Sequence, residues 1–152
     1  MRILDIVPPE AVVDDLRAET KEGVLRELAG ILAAMAPQLP AEAIASVLIE
    51  RESLGSTGIG EGVAIPHGKI EGIDRLHTVF GRSRTGIQFH SLDGKPARLF
   101  FVIIAPAQSA GMHLKALARI SRLLKDERFR RSLVDARDVV HLREIFQAEE
   151  TR

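Results

Sequence analysis

The sequence predicts a single α/β domain over residues 1–152, a mixed β-sheet sandwiched by helices. Three observations carry that expectation. Helical periodicity occupies both ends of the chain, and glycine turns with short apolar segments occupy the middle. Between them lies one run, Ala97 to Ala105 (Ala-Arg-Leu-Phe-Phe-Val-Ile-Ile-Ala), that is apolar almost without interruption. A β-branched and aromatic run of this kind suits a central strand covered on both faces. Helices on either side of the strands in sequence then supply the two covering layers. A chain of 152 residues is long enough to bury one core, and no linker, repeat or low-complexity segment divides it.

The elements follow in order. Thr20 is placed to cap a helix whose inward face is Val24, Leu25, Leu28, Ile31, Leu32 and Met35, with Glu22 in the first turn and Pro37 closing it. A second helix is expected from about Pro40 to Glu52, with Ile44, Val47 and Leu48 inward. Gly55-Ser-Thr-Gly-Ile-Gly-Glu-Gly62 then brings four glycines in eight residues, which no helix interior tolerates. Val63-Ala-Ile65 reads as a short strand ended by Pro66. Leu76 to Phe80 reads as another, the region around Ile87 and Phe89 as a third, and Asp93-Gly94 as a tight turn. After Pro106 the chain turns helical. A stripe of Leu114, Leu117, Ile120, Leu123 and Leu124 comes first, followed by shorter patterns over Phe129 to Leu133 and Val139 to Phe146.

Composition removes several functions. Twenty-one basic residues balance twenty-one acidic ones, so no global field draws the chain to nucleic acid or an anionic membrane, and any anion site must be local. The absence of cysteine excludes disulfides, thiol nucleophiles and cysteine-bound zinc. Tryptophan and tyrosine are also absent, which removes tyrosine chemistry and leaves little for base stacking. The N-terminus has one basic residue and an apolar run broken by Asp5, unlike a secretory signal. The longest apolar stretch, Leu99 to Ala107, falls far short of a membrane helix. A cytoplasmic protein without membrane insertion is expected. No His-x3-His or His-Glu-x2-His occurs, so no metal is expected, and nothing implies a cofactor.

The glycine stretch fails both common phosphate fingerprints. Gly55 and Gly60 have P-loop spacing, but Glu61 stands where lysine is required, and Gly68-Lys69 is followed by Ile70. Gly58-x-Gly60 is followed three residues on by Val63, which breaks the dinucleotide pattern. What remains is Pro66-His67-Gly68. Proline fixes φ, and Gly68 is read as permitting a backbone turn. A histidine so held, with one nitrogen bound locally and the other outward, is a nucleophile toward phosphorus. Read alone, however, Pro-His-Gly is better explained as a plain surface turn.

The longer string Arg51-Glu-Ser-Leu-Gly-Ser-Thr-Gly-Ile-Gly-Glu-Gly-Val-Ala-Ile-Pro-His-Gly-Lys69 changes that balance. It resembles the signature of phosphotransferase-system enzyme IIA domains of the fructose/mannitol/nitrogen-regulatory type (EIIA type 2). The segments Gly55 to Gly60 and His67-Gly-Lys69 look most like the nitrogen-regulatory branch. The resemblance implies a phosphotransferase that carries a phosphoryl group on His67, received from a histidine phosphocarrier protein (HPr-like). It further implies a second histidine beside the first, at the position of His113, and an arginine near the site, at Arg51. The residues agree in part. His113 lies in a first helical turn, where the helix dipole favours negative charge, although a half-buried histidine closing the core would serve as well. Arg51 can grip two phosphate oxygens or simply be a solvated cation at a helix end. Lys69, Ser56 and Thr57 are weaker candidates, and His77, His90 and His141 are expected in surface or packing roles. Glu61 departs from the family, which commonly has Asn there, and is expected to face solvent. Two uses share this chemistry. One passes phosphate to a IIB component in sugar uptake, and the other switches the binding of regulatory target proteins. With no IIB, IIC or membrane segment in the chain, the regulatory use is favoured.

Overall fold

The computed structural model describes residues 2–150. One mixed, six-stranded sheet lies between two helical layers. A short helix α1 (Ile3–Ile6), a 3-10 turn (Pro9–Ala11) and strand β1 (Val12–Val13) lead into α2 (Lys21–Met35) and α3 (Ala41–Ser53). Strands β2 (Gly58–Gly60), β3 (Val63–Ala64), β4 (His67–Ile70), β5 (His77–Ile87) and β6 (Ala97–Pro106) follow, and α4 (Ala110–Leu123), α5 (Glu127–Asp135) and α6 (Val139–Glu150) complete the fold. The Thr20 hydroxyl caps α2 by accepting from Gly23 N–H at 3.1 Å. Among the described residues no helix is long and apolar enough to cross a membrane.

The run from Ala97 is the central strand. β6 pairs antiparallel with β5 on one side and parallel with β3 and β4 on the other. Its side chains alternate between the two cores. Phe100, Val102 and Ile104 pack with Leu25, Leu28, Leu32, Ile44 and Leu48 of α2 and α3. Leu99, Phe101 and Ile103 pack with Ile120, Leu133, Leu142 and Phe146 of α4 to α6. Burial on both faces is why this strand lacks polar alternation. Phe146 stands edge-on to Phe80, Phe101 and Phe129 at centroid distances of 5.2, 6.0 and 5.9 Å, tying the last helix to the sheet.

Several local expectations are corrected. Pro66 does not end its strand. Val63, Ala64, His67 and Gly68 lie opposite Leu99, Phe100, Ile103 and Ile104 in one continuous register. The segment is a single edge of β6, interrupted only where proline lacks a donor. The two strands expected over residues 76–89 are one long strand, β5, followed by an irregular stretch carrying Phe89. Leu114 does not belong to the buried stripe of α4: it is 64% exposed. The buried positions are His113, Ala116, Ile120 and Leu123, one residue out of phase with Leu114. Gly68 makes no turn. It is a strand residue pressed against α3, where an added Cβ would stand 2.2 Å from Val47 Cγ1.

Candidate functional site

The continuous register of β3 and β4 aims His67. Val63 and Ile65 point into the core beneath α4 to α6, and strand alternation puts His67 on that same face. Its Nδ1 lies 2.7 Å from the Ile65 carbonyl oxygen. A carbonyl only accepts, so Nδ1 carries the ring hydrogen and donates it, and Nε2 keeps its lone pair. The half-buried imidazole is thus held in one tautomer by its own strand.

His113 comes from the first turn of α4, which begins just after β6 ends at Pro106. Its ring meets His67 edge-on, with centroids 5.1 Å apart at 64°. His113 is 8% exposed, and its Nδ1 is buried without a hydrogen-bond partner. The last turn of α3 brings Arg51 to the other side. An open cleft joins Val47, Arg51, Leu54, His67, Gly68 and His113, with the exposed Lys69 at its margin. One guanidinium nitrogen of Arg51, Nη1, donates to the Gly55 carbonyl at 2.8 Å, which anchors the side chain to the glycine loop. His67, His113 and Arg51 therefore share one cleft, though they are separated by up to 62 positions in sequence (113 minus 51).

The electrostatics favour neutral rings. Burial is the main cause pulling His67 below the ordinary histidine value of 6.5, and Arg51 adds to it, while the Ile65 carbonyl and Glu52 push back. His113 is lowered by burial first, then by His67 and Lys69. A neutral His67 with Nε2 unprotonated is a competent nucleophile at neutral pH.

The weaker candidates go elsewhere. Ser56 Oγ donates to the Phe89 carbonyl at 2.9 Å and accepts from Gly58 N–H at 3.0 Å, so it shapes the loop. Thr57 turns to Glu52. His77 lies in β5 within a separate cleft, His90 is exposed at φ 55°, and His141 Nδ1 accepts from Arg137 N–H at 3.0 Å. Glu61 is 75% exposed and pairs loosely with Arg130 at 3.7 Å, away from the cleft. Among the described residues no group of acidic or histidine side chains is arranged to hold a metal. Sequence reasoning missed Glu52, whose buried carboxylate organises the loop beneath the site. A signal was available: Ile44, Leu48 and Glu52 follow one another at four-residue spacing on the buried face of α3.

Residues 5–149 match the family described as "Phosphoenolpyruvate-dependent sugar phosphotransferase system, EIIA 2". The chain belongs to this EIIA family. Within it, the chain is 43% identical over 138 residues to a nitrogen regulatory protein of Bradyrhizobium diazoefficiens, covering 91% of this chain and 90% of that one. It is 37% identical to the fructose-specific EIIABC component of Bacillus subtilis, an alignment covering 90% of this chain but 21% of that protein. Among solved structures, nitrogen regulatory protein IIA-Ntr of Neisseria meningitidis superposes with a TM-score of 0.86 at 32% identity, covering 95% of this chain and 98% of that one. The mannitol IIA of Escherichia coli gives 0.74 at 26% identity, over 90% and 96%. The sheet and its two helical layers are thus those of EIIA domains.

Proposed function

We propose that this EIIA domain accepts a phosphoryl group on Nε2 of His67 from a histidine phosphocarrier protein, and that it serves mainly as a nitrogen-type regulatory switch in the cytoplasm. The observation that carries the chemistry is the Nδ1–H bond to the Ile65 carbonyl at 2.7 Å. It leaves Nε2 as the only nucleophilic atom of the ring, beside His113 in an open cleft. In the transfer, the Nε2 lone pair attacks phosphorus of the carrier's phosphohistidine. The bond from phosphorus to the carrier's nitrogen breaks as the new one forms, and its electron pair stays on that nitrogen, so that the carrier's ring, protonated on its other nitrogen, leaves as neutral imidazole. Nδ1 keeps its hydrogen, still donated to the Ile65 carbonyl, throughout. Arg51 supplies the positive charge, and the neutral ring of His113, in the first turn of α4, an N–H donor, that a phosphoryl dianion needs.

The regulatory use draws support from the nitrogen regulatory relatives, and phosphorylation adds close to two negative charges to this face, enough to change what docks there. Transport is the second reading, favoured by the similarity to a fructose-specific EIIABC component. In that case a IIB domain takes the group from His67.

Incubation with phosphoenolpyruvate, enzyme I and a phosphocarrier is expected to give an acid-labile phosphate that His67→Ala abolishes and that His113→Ala and Arg51→Ala slow without abolishing. A chain that takes no label defeats both uses. Pull-downs with His67→Ala and His67→Asp then separate them. Partners that distinguish the variants favour the switch, and a IIB domain that drains the label while partners do not distinguish them favours transport.

A further inference from the structure

Glu52, beneath the cleft, ends a chain of contacts that reaches His67 without touching it. Its buried carboxylate accepts from Thr57 N–H at 3.1 and 3.0 Å, accepts the Thr57 hydroxyl, and pairs with Lys21 Nζ at 2.8 Å. Lys21, the first residue of α2, also places its Nζ 4.7 Å from the centroid of the Phe89 ring. Thr57 is thereby held at both its N–H and its hydroxyl, and charge-assisted bonds of this kind are stronger than neutral ones. The Thr57 carbonyl in turn accepts from Ile65 N–H at 3.0 Å, and the Ile65 carbonyl accepts from His67 Nδ1. Pro66 stiffens the one link between Ile65 and His67, because its φ is set by the ring.

We propose that Glu52 is a positioning residue for His67. With Lys21 and Thr57 it sets the place of the Ile65 carbonyl, and so holds the imidazole in the tautomer that leaves Nε2 bare. This rests on the reading of His67 as the phosphoryl acceptor. The tautomer matters because an unconstrained neutral imidazole favours hydrogen on Nε2, the form that blocks the nucleophile. Glu52 also staples α2 to the glycine loop, and a purely structural role would show as lost stability alone.

The test compares the full chain with Glu52→Gln and Thr57→Val, each checked for native fold by thermal melting. Two readouts are taken: 15N NMR of the His67 ring nitrogens before phosphorylation, and the rate of phosphoryl uptake from the phosphocarrier. In the unaltered protein His67 is expected to carry its hydrogen on Nδ1. In both variants the Nε2–H form gains population and uptake slows by about tenfold, as expected of a displaced reacting group. Thr57→Ser, which keeps the hydroxyl, is expected to retain the unaltered tautomer and rate. An unchanged His67 tautomer in the folded variants overturns the proposal, as does a shifted tautomer at full uptake rate. Should Glu52→Gln fail to fold, Thr57→Val decides. The NMR readout needs no phosphate, so an unaltered chain that takes no label defeats the proposed function and leaves the tautomer to judge the role of Glu52.

Discussion

Glu61 holds a left-handed backbone at φ 57°, a conformation that costs ordinary L residues about 1–2 kcal/mol and that Asn tolerates better. The preference for Asn at this position, implied by the family resemblance, thus has a backbone cause. The charge is a lesser matter, since the carboxylate faces solvent. Its pair with Arg130 at 3.7 Å is exposed on the Glu61 side, and such pairs contribute about 0–1 kcal/mol. Glu61→Asn is therefore expected to stabilise the fold by about 0.5 kcal/mol. The readout is the urea midpoint at unchanged slope, and a lower midpoint would mean the ion pair outweighs the strain. At this scale His67 stands out as the candidate because its signature is local and contiguous. Gly68 was misread because its constraint, the side chain of Val47 across the strand, comes from another element.

Strand β5 shows what periodicity misses at the scale of an element. Between Phe80 and Ile87 it carries Gly-Arg-Ser-Arg-Thr-Gly, which reads as a break between two strands. Arg82 is fully buried there. Its guanidinium donates to the carbonyls of Asp14 at 3.0 Å, Leu133 at 3.0 Å, Val134 at 3.3 Å and Ala136 at 2.5 Å. It therefore caps the end of α5, whose last carbonyls lack helical partners. Those acceptors lie 51 to 68 residues away, so the strand pattern alone could not reveal why a charge is welcome. Arg82→Met keeps the stem but leaves several buried carbonyls without donors. A loss of about 3 kcal/mol in chemical denaturation is expected. A loss below about 1 kcal/mol would indicate that water replaces the guanidinium.

For the molecule as a whole, neutral histidines in half-buried or buried positions tie stability to pH. His67, His77 and His113 all lie below the ordinary value of 6.5 in the fold, burial being the first cause in each. Above 6.5 they are neutral in both states. As pH falls through 6.5 the unfolded chain binds protons first, so the unfolded state gains and stability drops until the lowered native values are reached. The melting temperature is expected to fall between about pH 7 and pH 5, and to fall less in a His67→Ala, His113→Ala double variant. An equal fall in that variant would assign the effect to other groups. The carboxylates of Asp93 and Glu150, also lowered, lose their contribution in the same direction but at more acid pH. The sequence by itself determined the α/β class, the doubly covered strand β6 and the candidate nucleophile His67, because each is written in neighbouring residues. Tertiary structure decided the rest. The strand runs on past Pro66 because β6 supplies its register, and His113 meets His67 because α4 starts where β6 ends. Glu52 acquires a role because Lys21 and Thr57 converge on it from different segments. Those are contacts between distant parts of the chain, and local periodicity carries no record of them.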